Sequence, residues 1–207
     1  MIESVRDHYD AICESETDGL EILMQALLFS GIAVQMTDAE RVIEGAEHLA
    51  AHLWIMKVLN SPIKAYHGER VGVAAICLLR TYEKWASLIK EKRVHLKGES
   101  ARGLEMHLME QYFNGDLLDE ILLSTSPNPL EEVDFDLLEE QLDTIADDIQ
   151  ELPSSGELCS MLKRAGCKTE LSDIGLEEAI ADKTLELVPY LKKDLSFLRI
   201  SKLLDWN

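Results

Sequence analysis

The chain has 207 residues, of which 46% are apolar, enough for one good core or two small ones, so it should fold without disulfide or metal staples. A net charge of −19, from 39 acidic against 20 basic residues, would repel phosphate backbones and argues against a nucleic-acid partner. No run approaches ~20 consecutive apolar residues, and the opening MIESVRDHYD lacks the basic-then-apolar layout of a signal peptide, so neither a membrane nor export is expected.

Apolar residues recur at spacings of three and four, and alternating runs rich in Val, Ile and Thr are missing, which predicts an all-α, multi-helix fold. The first firm helix is expected from about Asp18 to Val34, with Leu20, Leu23, Met24, Leu27, Leu28 and Ile32 as a broad buried stripe and capping chemistry from Ser15 to Asp18. A second opens at Thr37, in a capping box with Glu40, and runs to about Leu59, where Asn60-Ser61-Pro62 stops it. A third, from about Glu69 to Glu91, is so apolar on most sides that it should be the spine of the fold.

Beyond Leu96 the pattern turns amphipathic and acidic. Helices are expected over Ser100 to Phe113, Asp116 to Leu123 and Phe135 to Leu152, with a Ser/Pro/Asn-rich break from Ser124 to Pro129. Further helices follow to Gly166, from Gly175 to Leu185, and from Asp194 to Leu204. Neither side of the break carries enough apolar mass to stand alone, so residues 1–207 read as one domain with a minor division near 124–129. The acidic faces between Asp116 and Glu151 read as solvated, or as docking ground for a basic partner. The methionines read as core filler, and Trp54 and Trp85 as packing between helices.

Cys13, Cys77, Cys159 and Cys167 lie far apart and match no zinc-knuckle spacing; Cys159 and Cys167 read as two unrelated buried thiols. Free thiols fit a cytoplasmic protein.

Three of the six histidines fall within one short stretch: His48 and His52 in Gly45-Ala46-Glu47-His48-Leu49-Ala50-Ala51-His52, and His67 in His67-Gly68-Glu69-Arg70-Val71-Gly72. Residues four apart share a helix face, and a hairpin would swing His67, just before the third helix, back toward it. Imidazoles suit Zn and Fe, but a catalytic zinc generally needs three protein ligands plus an open position. Glu44, Glu47 and Glu69 are the nearby carboxylates, although Glu47 is rotated roughly 100° from His48 around the helix. On spacing alone, a hydrogen-bonded histidine pair near a helix turn competes with a metal site. No Ser/His/Asp or Cys/His spacing points to nucleophilic catalysis.

SGIAVQ (Ser30 to Gln35), GAEHLAAH (Gly45 to His52) and HGERVGVAA (His67 to Ala75) resemble, in that order and spacing, the glycerol-1-phosphate dehydrogenase branch of the iron-containing alcohol dehydrogenase superfamily. The similarity continues more faintly through LPSSGELCSMLKRAG (Leu152 to Gly166) and DIGLEEAI (Asp173 to Ile180). The resemblance implies an enzyme in which an N-terminal Rossmann-like domain holds NAD(P), and a helical C-terminal domain holds a divalent metal, Zn or Fe, that polarises the substrate hydroxyl. By that match His48 and His67 are metal ligands and His52 faces the substrate.

The departures weigh equally. The family's third ligand is an aspartate upstream of the region where this chain starts, and no Gly-rich strand-to-helix turn offers a pyrophosphate site. Tyr190 to Leu198 replaces an expected arginine pair and tyrosine, which argues against phosphate handling. The chain is therefore expected to be the metal-site half of an NAD(P)-linked polyol or polyol-phosphate oxidoreductase, lacking the N-terminal nucleotide-binding domain and inactive until a partner chain supplies it. The alternative is a dehydrogenase-derived helical module that has lost catalysis and binds a partner, or itself, through a face the missing domain would cover.

Overall fold

The computed structural model describes residues 2–37, 45–59 and 63–207. Its helices are α1 (Ile2–Asp7), α2 (Tyr9–Cys13), α3 (Thr17–Thr37), α4 (Ala46–Ile55), α5 (His67–Lys90), α6 (Met106–Tyr112), α7 (Gly115–Ser124), α8 (Phe135–Glu151), α9 (Ser155–Arg164), α10 (Ala179–Leu187) and α11 (Phe197–Ile200). Short 3-10 turns lie between several of them. The fold is all-α and multi-helical, as the periodicity predicts.

α5 is the spine. It packs against α4, α8 and α9, and buries Val73, Ala74, Ile76 and Leu78 in its first half and Trp85, Ala86, Leu88 and Ile89 in its second. The first half joins a large apolar cluster with Leu53 and Trp54 of α4, Met109 and Phe113 at the end of α6, and Leu187 to Tyr190. The second half meets α8 through Ala86, Ile89, Ala146 and Ile149, where two alanines allow close approach. The acidic side of α8 faces outward, as expected of a solvated face, and Lys90 and Lys92 reach it, pairing with Asp147 at 2.6 Å and Asp143 at 2.5 Å.

Several expectations need correction. The stretch from Ser100 to Phe113 is not one helix: Glu99–Arg102 form a 3-10 turn, and α6 starts only at Met106. The break follows from Gly103, which has no side chain to hold a helix together. The expected last helix shortens to α11, because the chain then turns into a strand. β1 (Val94–Leu96) and β2 (Leu204–Trp206) form an antiparallel pair, with His95 opposite Asp205. Lys92, at φ 57, reverses the chain after α5, and Arg93 N–H donates back to the Leu88 carbonyl, a Schellman-type stop that feeds β1. Three residues are too few for alternation to register in a sequence.

The cysteines are free, as the spacing suggests, but not all buried: Cys167 is exposed and the other three are half-buried. The methionines divide likewise, Met109 being fully buried while Met24 and Met36 are exposed. The expected capping box of Thr37 with Glu40 falls on residues outside those described; Thr37 itself closes α3, and α4 ends at Ile55 rather than near Leu59.

The largest correction concerns α3. Its stripe was expected to be buried, yet Leu20, Met24, Leu27, Leu28 and Ile32 are 46–61% exposed. Among the described residues α3 packs chiefly on the short α1 and α2, where Gly19 admits the backbone of Ala11 so closely that a Cβ there would sit 2.5 Å from it. α2 in turn is tied to α9: the Tyr9 hydroxyl donates to the Met161 carbonyl, and Asp10 pairs with Arg164 at 2.6 Å. A cleft of about 760 Å³ opens between these helices, with Arg6, Ala26 and Phe29 on one wall and Leu152, Pro153 and Met161 on the other. Although it includes Asp18 and Glu21, the stretch Thr17–Met36 is long and apolar enough, at a mean hydropathy of 1.5, to cross a membrane by length and composition.

Two polar ties fasten the C-terminal segment. Arg199 is 1% exposed and holds no carboxylate: it donates to the Lys192 carbonyl and to Asn128 Oδ1, at 2.6 and 3.1 Å. Glu105 Oε2 accepts from the Tyr190 hydroxyl at 2.7 Å and from Lys202 Nζ at 3.0 Å. Burial pulls the Glu105 pKa upward, but the Tyr190 hydrogen bond and the Lys202 charge outweigh it and hold the carboxyl below its ordinary 4.5.

Two outcomes follow. Trp54 is fully buried and its indole N–H donates to Thr184 Oγ1 at 2.8 Å, so Trp54→Ala should cost about 3–5 kcal/mol in a urea titration. Trp54→Phe, which loses the hydrogen bond but keeps most of the volume, should cost about 1–2 kcal/mol. Because the Glu105 pKa is lowered in the folded protein, its contribution is complete above pH 4.5 and is lost as pH falls through the lowered value. The melting temperature of Glu105→Gln should therefore lie below wild type at pH 7, and the gap should close as acidification passes through the lowered value.

Candidate metal centre

The histidine cluster forms where α4 and α5 begin. His48 and His52 stand one turn apart on α4, and His67 is the first residue of α5 rather than a residue preceding it. The His67 ring centroid lies 5.4 Å from that of His48 and 5.6 Å from that of His52. The expected convergence of His67 on the His48/His52 face is therefore present. His48 is half-buried, while His52 and His67 are exposed.

Two nearby contacts fix His67. Glu69 accepts from the Tyr66 backbone N–H at 2.7 Å, capping the start of α5, and Arg70 donates to the Ala65 carbonyl at 2.6 Å, drawing the preceding loop against the helix. Glu69 is thereby engaged as a cap. Glu44 lies outside the described residues.

Glu47 corrects the helical-wheel expectation. A rotation of about 100° should carry it away from His48, yet its Oε1 accepts from His48 Nδ1 at 2.9 Å and from the Gly45 backbone N–H at 3.0 Å. At the first turn of a helix a carboxylate can fold back over unpaired backbone N–H groups, and that bend returns it to its neighbour's ring. Gly45 makes room, since a Cβ there would meet Glu47 Oε2 at 2.5 Å. An ionised carboxylate only accepts, so in this contact His48 donates from Nδ1. The signal was a glycine two residues before a glutamate at a helix start.

Donor geometry supports a metal only in part. At metal–nitrogen distances near 2.1 Å, two imidazoles on one tetrahedral ion have ring centres roughly 5 Å apart, close to the His48–His67 separation. Among the described residues, however, no group of three or more His, Cys, Asp or Glu side chains could hold a metal ion. The pair supplies two corners of a shell that needs a third protein donor. Of the altered segment from Tyr190 to Leu198, Tyr190 is committed to Glu105, and the nearby Arg199 is turned into the core, so neither offers a free group for phosphate.

No protein-family model matches the chain. No solved structure matches it either. Curated relatives do. A protein named glycerol-1-phosphate dehydrogenase [NAD(P)+] from Geobacillus stearothermophilus is 24% identical over 187 residues, covering 89% of this chain and 38% of the relative. The protein of the same name from Halalkalibacterium halodurans is 23% identical over 193 residues, covering 93% and 40%. Another, from Bacillus velezensis, reaches 38% identity over 84 residues, which is 39% of this chain and 21% of the relative. In the long alignments the chain spans about two fifths of the relatives' length. The chain is similar to proteins named glycerol-1-phosphate dehydrogenase [NAD(P)+] along most of its own length and less than half of theirs.

Proposed function

We propose that this chain is the metal-site half of a glycerol-1-phosphate dehydrogenase-like, NAD(P)-linked oxidoreductase acting on a small polyol or its phosphate. The observation that carries the reading is the three-imidazole cluster, with Glu47 holding His48, on a chain homologous to such enzymes. In this reading His48 and His67 are the protein's ligands to a divalent ion, Zn or Fe. The third donor and the nucleotide site come from a nucleotide-binding domain outside the residues of this sequence. Glu47 is a positioning residue: by accepting from Nδ1 it holds the His48 ring in one tautomer and one orientation. His52, exposed beside His67, is the group that faces the substrate. The chain alone oxidises no cofactor, because hydride transfer needs a nicotinamide held next to the substrate carbon. A cytoplasmic setting suits four free cysteines.

A second reading is a helical binding or assembly module without catalysis. The exposed apolar row of α3 favours it, because contiguous apolar patches on a folded chain mark contact surfaces.

Zinc competition against a chromophoric chelator separates the two. One weakly held zinc per chain is expected in wild type, absent in both His48→Ala and His67→Ala and retained in His107→Ala on α6. Glu47→Gln should weaken binding about 10–100-fold, as loss of a residue that orients a ligand does. No zinc in wild type, or undiminished zinc in either alanine variant at 48 or 67, would leave only the module.

A further inference from the structure

We draw no further inference here: the strongest candidate, the exposed apolar face of α3 together with the cleft it walls against α9, carries nothing because nothing in the structure shows what covers it.

Discussion

The described structure depends first on burial along α5. Its two halves belong to different apolar clusters, one closed by α4 and the segment after α10, the other by α8. With three helices packed on it, α5 can have little freedom to rotate or slide, and its first residue is then as fixed as its middle. That matters because His67 is the first residue. Helix ends ordinarily fray, but here Glu69 caps the Tyr66 N–H and Arg70 grips the Ala65 carbonyl, so the buried spine presents an ordered imidazole at the surface. α4 is held in the same way by fully buried Leu53 and Trp54, on the turn that follows His52.

Around that frame the local chemistry is modest and specific. Gly45, Glu47 and His48 form one unit: the glycine leaves room, the carboxylate folds over the helix start, and the imidazole receives an acceptor for Nδ1. The same carboxylate satisfies a backbone N–H that α4 cannot satisfy itself. Helix capping and ring orientation are thus served by one side chain. Remote from the site, Arg199 shows the opposite use of charge, a guanidinium buried on carbonyl and amide oxygens, where burial lowers its pKa below the ordinary guanidinium value.

The parts of this arrangement legible in the sequence are those carried by long periodic patterns. α5 announces itself by apolar residues on most of its faces, and α8 by a one-sided stripe under an acidic surface. The His48/His52 pair follows from a spacing of four, and His67 from a helix start placed within two residues. What was not legible depends on short segments or on side-chain torsions. β1 and β2 pair across more than a hundred residues with three residues each, and neither half signals the other. The wheel position of Glu47 is correct for a mid-helix residue and wrong for one in the first turn, where the unpaired N–H groups bend the side chain back. Arg199 carries no local signal of burial, and the Lys192 carbonyl and the Asn128 amide oxygen turn it inward.

The exposure of α3 marks a more general limit of pattern reading. A helical row of Leu, Met and Ile states that a face seeks apolar company; it does not state that the company lies in the same chain. Within a single sequence, interface and core obey the same periodicity, because both remove the same side chains from water. The distinguishing signs on α3 are its narrow footing and the exposure of its large side chains. Among the described residues it packs chiefly on two short helices, closest at Gly19, and leaves Leu27 and Phe29 exposed beside Leu20, Met24, Leu28, Ile32 and Met36, where α5 buries residues on several rows. The helix that departs most from its expected burial is thus one whose pattern reads correctly as apolar and wrongly as internal.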